Sequence, residues 1–131
     1  MSETVPEQGG FPQQVQIDAY GNGGFRFGGM SHHGSLLCLP GRMVRWDVGA
    51  ASEITRAALQ PVFDAAADID VLMIGLGREI VGLDRELREE LRASGVIVEA
   101  IATGGAVRTY NILLGEDRAV AAALIAVDDA K

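Results

Sequence analysis

The strongest constraint on the fold lies in the last third of the chain. Residues 103–118 read TGGAVRTYNILLGEDR and stand between two apolar runs, residues 96–102 and 119–127. Both runs suit strands. The stretch between them opens with a Thr-Gly-Gly turn that launches a helix ending near Gly115, and only Gly115, Glu116 and Asp117 separate that helix from the last strand. The same grammar occurs upstream. Residues 69–74 are fully apolar once Asp70 is passed, as a central strand covered on both faces requires. Asp84 is placed to cap a second helix running through Ala93, with Leu83, Leu87 and Leu91 facing inward and Gly95 as its stop. Strand, helix and strand in succession predict parallel pairing of residues 69–74 with residues 96–102 through a right-handed crossover. The chain is therefore expected to be an α/β protein.

The first third speaks a different grammar. Val15, Ile17 and Ala19 alternate with Gln14, Gln16 and Asp18, the period-two signature of a half-buried strand. Gly21-Asn22-Gly23-Gly24 signals a turn, Phe25-Arg26-Phe27 alternates again, and Gly28-Gly29 turns the chain once more. Residues 36–39 continue as strand, Pro40-Gly41 turns, and Met43, Val44 and Trp46 lead into another. This pattern predicts an N-terminal β-meander, packed against or extending the mixed sheet. After Gly49 the spacing becomes helical: residues 52–67 carry Leu59, Val62, Phe63 and Ala66 at three- and four-residue intervals. Thr55 is a plausible N-cap, and Pro61 should bend this helix or start a fresh turn.

A length of 131 residues suits one domain with a real core, expected over residues 13–128 behind a polar, flexible tail of residues 1–12. With 48% hydrophobic and 22% charged residues the chain falls among globular proteins. Its net charge of −7, with eleven scattered Lys and Arg, opposes nucleic-acid binding, which needs a basic stripe. A single cysteine excludes an internal disulfide and fits a reducing compartment. Cys38 lies in the apolar run SLLCLP and is expected to be a buried, inert thiol. The N-terminus lacks the pattern of a secretory signal, and no apolar run approaches the ~20 residues of a membrane helix. A cytoplasmic protein without membrane insertion is expected.

Few motifs carry chemistry. Gly75-Leu76-Gly77 follows the apolar strand as a dinucleotide fingerprint would, and Glu99 lies near the place of a ribose-binding acid, but Ile80 occupies the third glycine position. His32-His33 is expected in a surface turn, without partners for a metal. Neither Ser31 nor Ser35 has a base at a recognisable spacing. No catalytic residue, metal or cofactor is assigned. The candidate ligand-binding set is Gly75, Gly77, Thr103, Gly104, Arg108, Thr109 and Asn111. These lie at the carboxyl ends of the parallel strands, where helix amides and a guanidinium could hold a small anion such as a carboxylate or phosphate. A structural reading stands beside it: Thr103 as a cap, Arg108 paired with Glu99 or Glu116, and Asn111 satisfying a backbone group of the adjoining loop.

Taken in order, Gly34-Ser35-Leu36-Leu37 with Pro40, Trp46, residues 72–77 (LMIGLG), residues 103–106 (TGGA), residues 108–111 (RTYN), Arg118 and residues 121–124 (AAAL) resemble a known family. It is a family of largely uncharacterised bacterial and archaeal proteins, whose mitochondrial members include an assembly factor for respiratory complex I (NADH:ubiquinone oxidoreductase). The resemblance spans roughly residues 15–127, and the family usually carries Thr where this chain has Leu76. It implies a three-layer fold with a central mixed sheet of five strands, the last antiparallel to the others. It also implies no established catalytic activity. The expected role is that of a non-enzymatic interaction or complex-assembly factor, with a protein partner in a membrane-associated complex.

Overall fold

The computed structural model describes residues 10–78 and 82–128. Regular structure begins with β1 (Ala19–Gly21), β2 (Gly24–Phe27) and β3 (Met30–His33), an antiparallel sheet in that order. Asn22 and Gly23 join the first two strands at φ 53° and 77°. A type I′ turn needs positive φ at both positions, which is why an Asn-Gly pair stands there. Phe25 and Phe27 are buried and Arg26 is exposed, as the alternation predicts. The His32-His33 pair is not in a turn. Gly28-Gly29 already reverses the chain, so residues 30–33 run on as a strand and His32 falls opposite Phe25. His32 is therefore buried and His33 exposed.

The remaining strands are β4 (Ser35–Leu39), β5 (Arg42–Trp46), β6 (Val71–Gly75), β7 (Ile97–Ile101) and β8 (Val120–Leu124), ordered β5-β4-β8-β6-β7 in a second sheet. Three helices accompany them among the described residues: α1 (Gln60–Asp64), α2 (Arg85–Ala93) and α3 (Thr103–Gly115). Asp84 caps α2 as expected, its carboxylate accepting from Leu87 N–H at 3.0 Å. The pairing of β6 with β7 is parallel, as the strand–helix–strand pattern predicts. The mixed five-stranded sheet matches the expectation, with one difference in direction. The last strand, β8, runs parallel to β6 and antiparallel only to β4. The cause is α3, which carries the chain back along the sheet so that β8 re-enters in the sense of β7. The reversed strand is β4, which is antiparallel to both of its neighbours.

Side-chain alternation along this sheet builds two cores and hence three layers. Leu37, Leu39, Leu72, Ile74, Ala121 and Ala123 face α1 and α2, meeting Leu59, Val62, Leu87 and Leu91. Leu36, Cys38, Met73, Ala122 and Leu124 face the other way, meeting Phe25 and Phe27 of the meander and Ala106, Val107 and Tyr110 of α3. All five residues of β8 are buried. Ala122 of this central strand lets α3 lie close, and Gly75 of β6 shows how close: a Cβ there would sit 2.9 Å from Thr103 Oγ1.

Two local expectations change. Regular pairing starts at Ala19 rather than Val15, because the backbone of the preceding segment is bonded by α3 side chains instead of a strand. The expected single helix over residues 52–67 is broken into a 3-10 turn (Ala51–Glu53), α1 and a second 3-10 turn (Ala66–Asp68). Pro61 stands in the first turn of α1 and thus starts a fresh helix. Thr55 Oγ1 still accepts from Ala58 N–H at 3.1 Å. Phe11, inside the segment expected as a tail, is bridged to Met43 by N–H to O bonds of 2.7 and 3.0 Å. Residues 1–9 of that segment, Ile80 and Asp129 lie outside the described residues.

Candidate functional site

The junction of β6, β7 and α3 is held by Thr103, which is the first residue of α3 rather than part of a preceding turn. Its N–H donates to Gly77 O at 2.9 Å. Its hydroxyl donates to Ile125 O at 2.7 Å and accepts from Gly77 N–H at 3.0 Å. Gly77 has φ 83°, a left-handed conformation that lets it meet Thr103 from both its backbone groups. Gly75, Gly77 and Thr103 are therefore brought together, with the polar atoms of Thr103 spent on the protein's own backbone. Leu76 is buried in the core on the α1 and α2 side.

The rest of the candidate set is spread along α3. Gly104 lies under the Tyr20 hydroxyl, so closely that a Cβ could not be placed without moving the ring. Arg108 is exposed, and its guanidinium folds back toward Gly104 and Gly105, 3.7 and 3.9 Å from where their Cβ atoms would stand. Neither of the expected carboxylate partners, Glu99 or Glu116, pairs with it among the described residues. Thr109 is half-buried. Asn111, ~12 Å along the helix from Thr103, is bonded twice to Ile17: its Oδ1 accepts from Ile17 N–H and its Nδ2 donates to Ile17 O, both at 2.8 Å.

Tyr110 makes a third tie to the N-terminal segment. Its hydroxyl donates to Val15 O at 2.8 Å and lies 3.8 Å from Met43 Sδ. Burial, and then the neighbouring Cys38, push its pKa well up. Cys38 is fully buried, and burial raises its thiol to about 12, only partly offset by its contact with Tyr110. A thiol of that kind is inert, as its apolar surroundings in sequence predict. His32 is held by its Nε2 at 2.9 Å from Ser35 O, while burial lowers its pKa. Among the described residues no group of three His, Cys, Asp or Glu side chains is placed to hold a metal ion.

Two concave regions border this junction. A cleft of about 240 Å³ opens at the carboxyl ends of β6 and β8, between Gly77, Arg78, Ala50, Ala126 and Asp128. Of the candidate set only Gly77 lines it. A broader groove of about 740 Å³ crosses the meander beside Tyr20, Asn22, Arg26, Ser31 and His33. A third feature was not anticipated from the sequence. Ile97 and Ile101 on β7 and Ile112 on α3 are 64%, 36% and 60% exposed. The signal for it is Glu99, a lone charge in an otherwise apolar strand, which marks a sheet edge.

The arrangement defines a class of three-layer α/β domain with known relatives. Residues 17–125 match the family model described as a protein of unknown function (DUF498/DUF598), and the chain belongs to that family. An uncharacterised protein of Rhodobacter capsulatus is 38% identical over 92% of each chain. The rat protein named NADH dehydrogenase (ubiquinone) 1 alpha subcomplex assembly factor 3 is 33% identical over 90% of this chain, which spans 64% of that relative's length. Among solved structures, one described as an outer membrane protein from Bartonella henselae has a TM-score of 0.86 at 46% identity, covering 90% of this chain and 99% of that one. A protein from Rhodopseudomonas palustris has a TM-score of 0.80 at 51% identity, covering 95% and 90%. No helix among the described residues is long and apolar enough to cross a membrane.

Proposed function

We propose that this chain is a non-enzymatic interaction protein that assists assembly of a membrane-associated complex, in the manner that the names of its mitochondrial relatives indicate. The observation that carries the reading is how the polar groups around α3 are used. Thr103 and Asn111 spend their hydrogen bonds on the protein's own backbone, while the surface beside them exposes Ile97, Ile101 and Ile112. Exposed apolar side chains, two of them on one face of β7, favour a macromolecular contact over a small polar ligand. The likeness to assembly factors over most of this chain supports the same reading. Deleting the gene in its native host is expected to lower the amount of assembled NADH:ubiquinone oxidoreductase on native gels, and a tagged copy is expected to bring down subunits of that enzyme. Unchanged assembly together with no co-purifying subunit would refute the proposal.

The cleft at the carboxyl ends of β6 and β8 favours a second reading, a small-anion site of a binding protein or enzyme. Gly77 lines it and is bonded through both its backbone groups to Thr103, and Arg108 with the first amides of α3 would supply positive charge. Phosphate, nucleotides and carboxylates at millimolar concentration would then raise the melting temperature, and Arg108→Ala would abolish that rise while leaving the unliganded protein as stable as before. No stabilisation by any of them removes this reading.

A further inference from the structure

The β7 edge of the five-stranded sheet is open among the described residues, and its backbone and side chains together specify what can close it. Ile97 N–H donates to Asp70 O at 2.9 Å, and Ile101 O accepts from Leu76 N–H at 2.8 Å. Residues 97, 99 and 101 thus turn their backbone groups toward β6, and the alternation leaves those of Val98 and Ala100 pointing out of the sheet. The side chains divide by face. Val98 and Ala100 pack on the α2 side. Glu99 lies opposite Met73 in register and so faces the α3 side, between Ile97 and Ile101. Ile101 touches the first turn of α3, where a Cβ on Gly105 would meet its Cδ1 at 3.0 Å. Glu99 and Arg108, both exposed, make no hydrogen bond or ion pair among the described residues.

A second copy of the chain is poorly matched to this edge. The antiparallel register that uses both free backbone sites pairs Val98 with Ala100 of the other copy and sets Glu99 against Glu99. That is a non-hydrogen-bonded pair, in which side chains are closest and like charges repel. Resting on the interaction reading above, we propose that β7 accepts an added strand from a different protein, one carrying a Lys or Arg opposite Glu99 between two apolar residues opposite Ile97 and Ile101. Main-chain bonds from Val98 and Ala100 give such a strand its purchase, and the charge at Glu99 selects its sequence.

Two synthetic seven-residue strands, TITKTIT and TITETIT with blocked ends, test this by NMR titration of the intact protein. The lysine peptide is expected to shift the Val98 and Ala100 amide signals, slow their hydrogen exchange, and bind about two- to fivefold tighter than the glutamate peptide, the worth of one charged cross-strand pair. Glu99→Lys should invert the preference and Glu99→Gln should erase it, each variant first showing a native amide spectrum. Equal affinity for both peptides, or shifts that spare Val98 and Ala100, would overturn the proposal. A complex subunit that binds the protein but leaves those two amides unchanged would overturn it too, with the assembly reading intact. Failure to recover any subunit would instead remove the assembly reading, and the peptides would still decide whether the edge takes a strand.

Discussion

At its β5 end the five-stranded sheet is packed on both faces and bridged at its edge, whereas at its β7 end the edge is unpaired among the described residues and the α3-side face is largely exposed. Over β4 and β5 the meander packs Phe25 and Phe27 on one face, and Trp46 is held on the other by its Nε1–H bond of 2.8 Å to Ala58 O. Phe11 closes the β5 edge by its backbone bridge to Met43 and stacks edge-on against Phe27, ring centroids 5.5 Å apart. Over β7, α2 covers one face with Leu87 and Leu91, while α3 lies across β6 and β8 and meets β7 where Ile101 touches its first turn. An edge strand with bare backbone groups invites pairing, and proteins guard against it with charge. Here the guard is the single carboxylate of Glu99, so the same sheet is closed by its own chain at one end and left selective at the other.

Four measurements bear on that contrast. The largest effect belongs to the closed end: Met43→Ala, at a fully buried position, should cost about 2–5 kcal/mol in urea unfolding. A smaller loss would mean that the β5 end is looser than its packing indicates. Next come the ties between α3 and its neighbours. Asn111→Leu strands the N–H and O of Ile17, and Thr103→Val strands Ile125 O and Gly77 N–H, so each should cost about 1–3 kcal/mol. Wild-type stability for Thr103→Val would show that these bonds are replaced by water. The third measurement concerns His32 under the meander, whose pKa burial holds below its ordinary 6.5. The unfolded chain then binds the proton more readily than the native one. Stability should hold steady above the ordinary 6.5, fall as the pH drops from there to the lowered native pKa, level off below it, and lose that slope in His32→Gln. A flat profile for the wild type would place His32 in water. The smallest effects belong to the open end: Ile97→Thr and Arg108→Ala should each change stability by no more than ~0.5 kcal/mol. A loss comparable to that of Met43→Ala would break the contrast, since it would place β7 in the core.

Much of the architecture could be read from short stretches. The Asn22-Gly23 turn, the Phe25-Arg26-Phe27 alternation, the Asp84 cap and the apolar run of β6 all express preferences settled within a few residues. The inward faces of α2 and the inert Cys38 followed from the same local patterns. Where the reading departed, distant groups decided. Val15 to Asp18 has the alternation of a strand, yet the backbone of Val15 and Ile17 is taken up by Tyr110 and Asn111, from across the sequence. His32-His33 carried no signal separating a turn from a strand, because the reversal could be made at Gly28-Gly29 alone. In the candidate set, Thr103 and Gly104 stand at the β7–α3 junction, while Arg108, Thr109 and Asn111 follow along the helix. That Thr103 and Asn111 bond inward, that Tyr20 lies over Gly104, and that Arg108 stays exposed depend on which segments fold over them.

By itself, then, the amino-acid order determined the α/β alternation, the Asn22-Gly23 turn, the Asp84 cap and the inward faces of β2, β6 and α2, because these depend on dihedral preferences and periodicity over a few neighbouring residues. The tertiary structure alone decided that β8 inserts between β4 and β6, that the meander forms its own sheet, and that β7 is left at the edge with Glu99 outward. Those outcomes turn on hydrogen bonds and packing between segments far apart in the chain, such as the 94-residue separation of Ile17 and Asn111. A side chain has no means of encoding a distant partner except by fitting it once the fold has brought the two together.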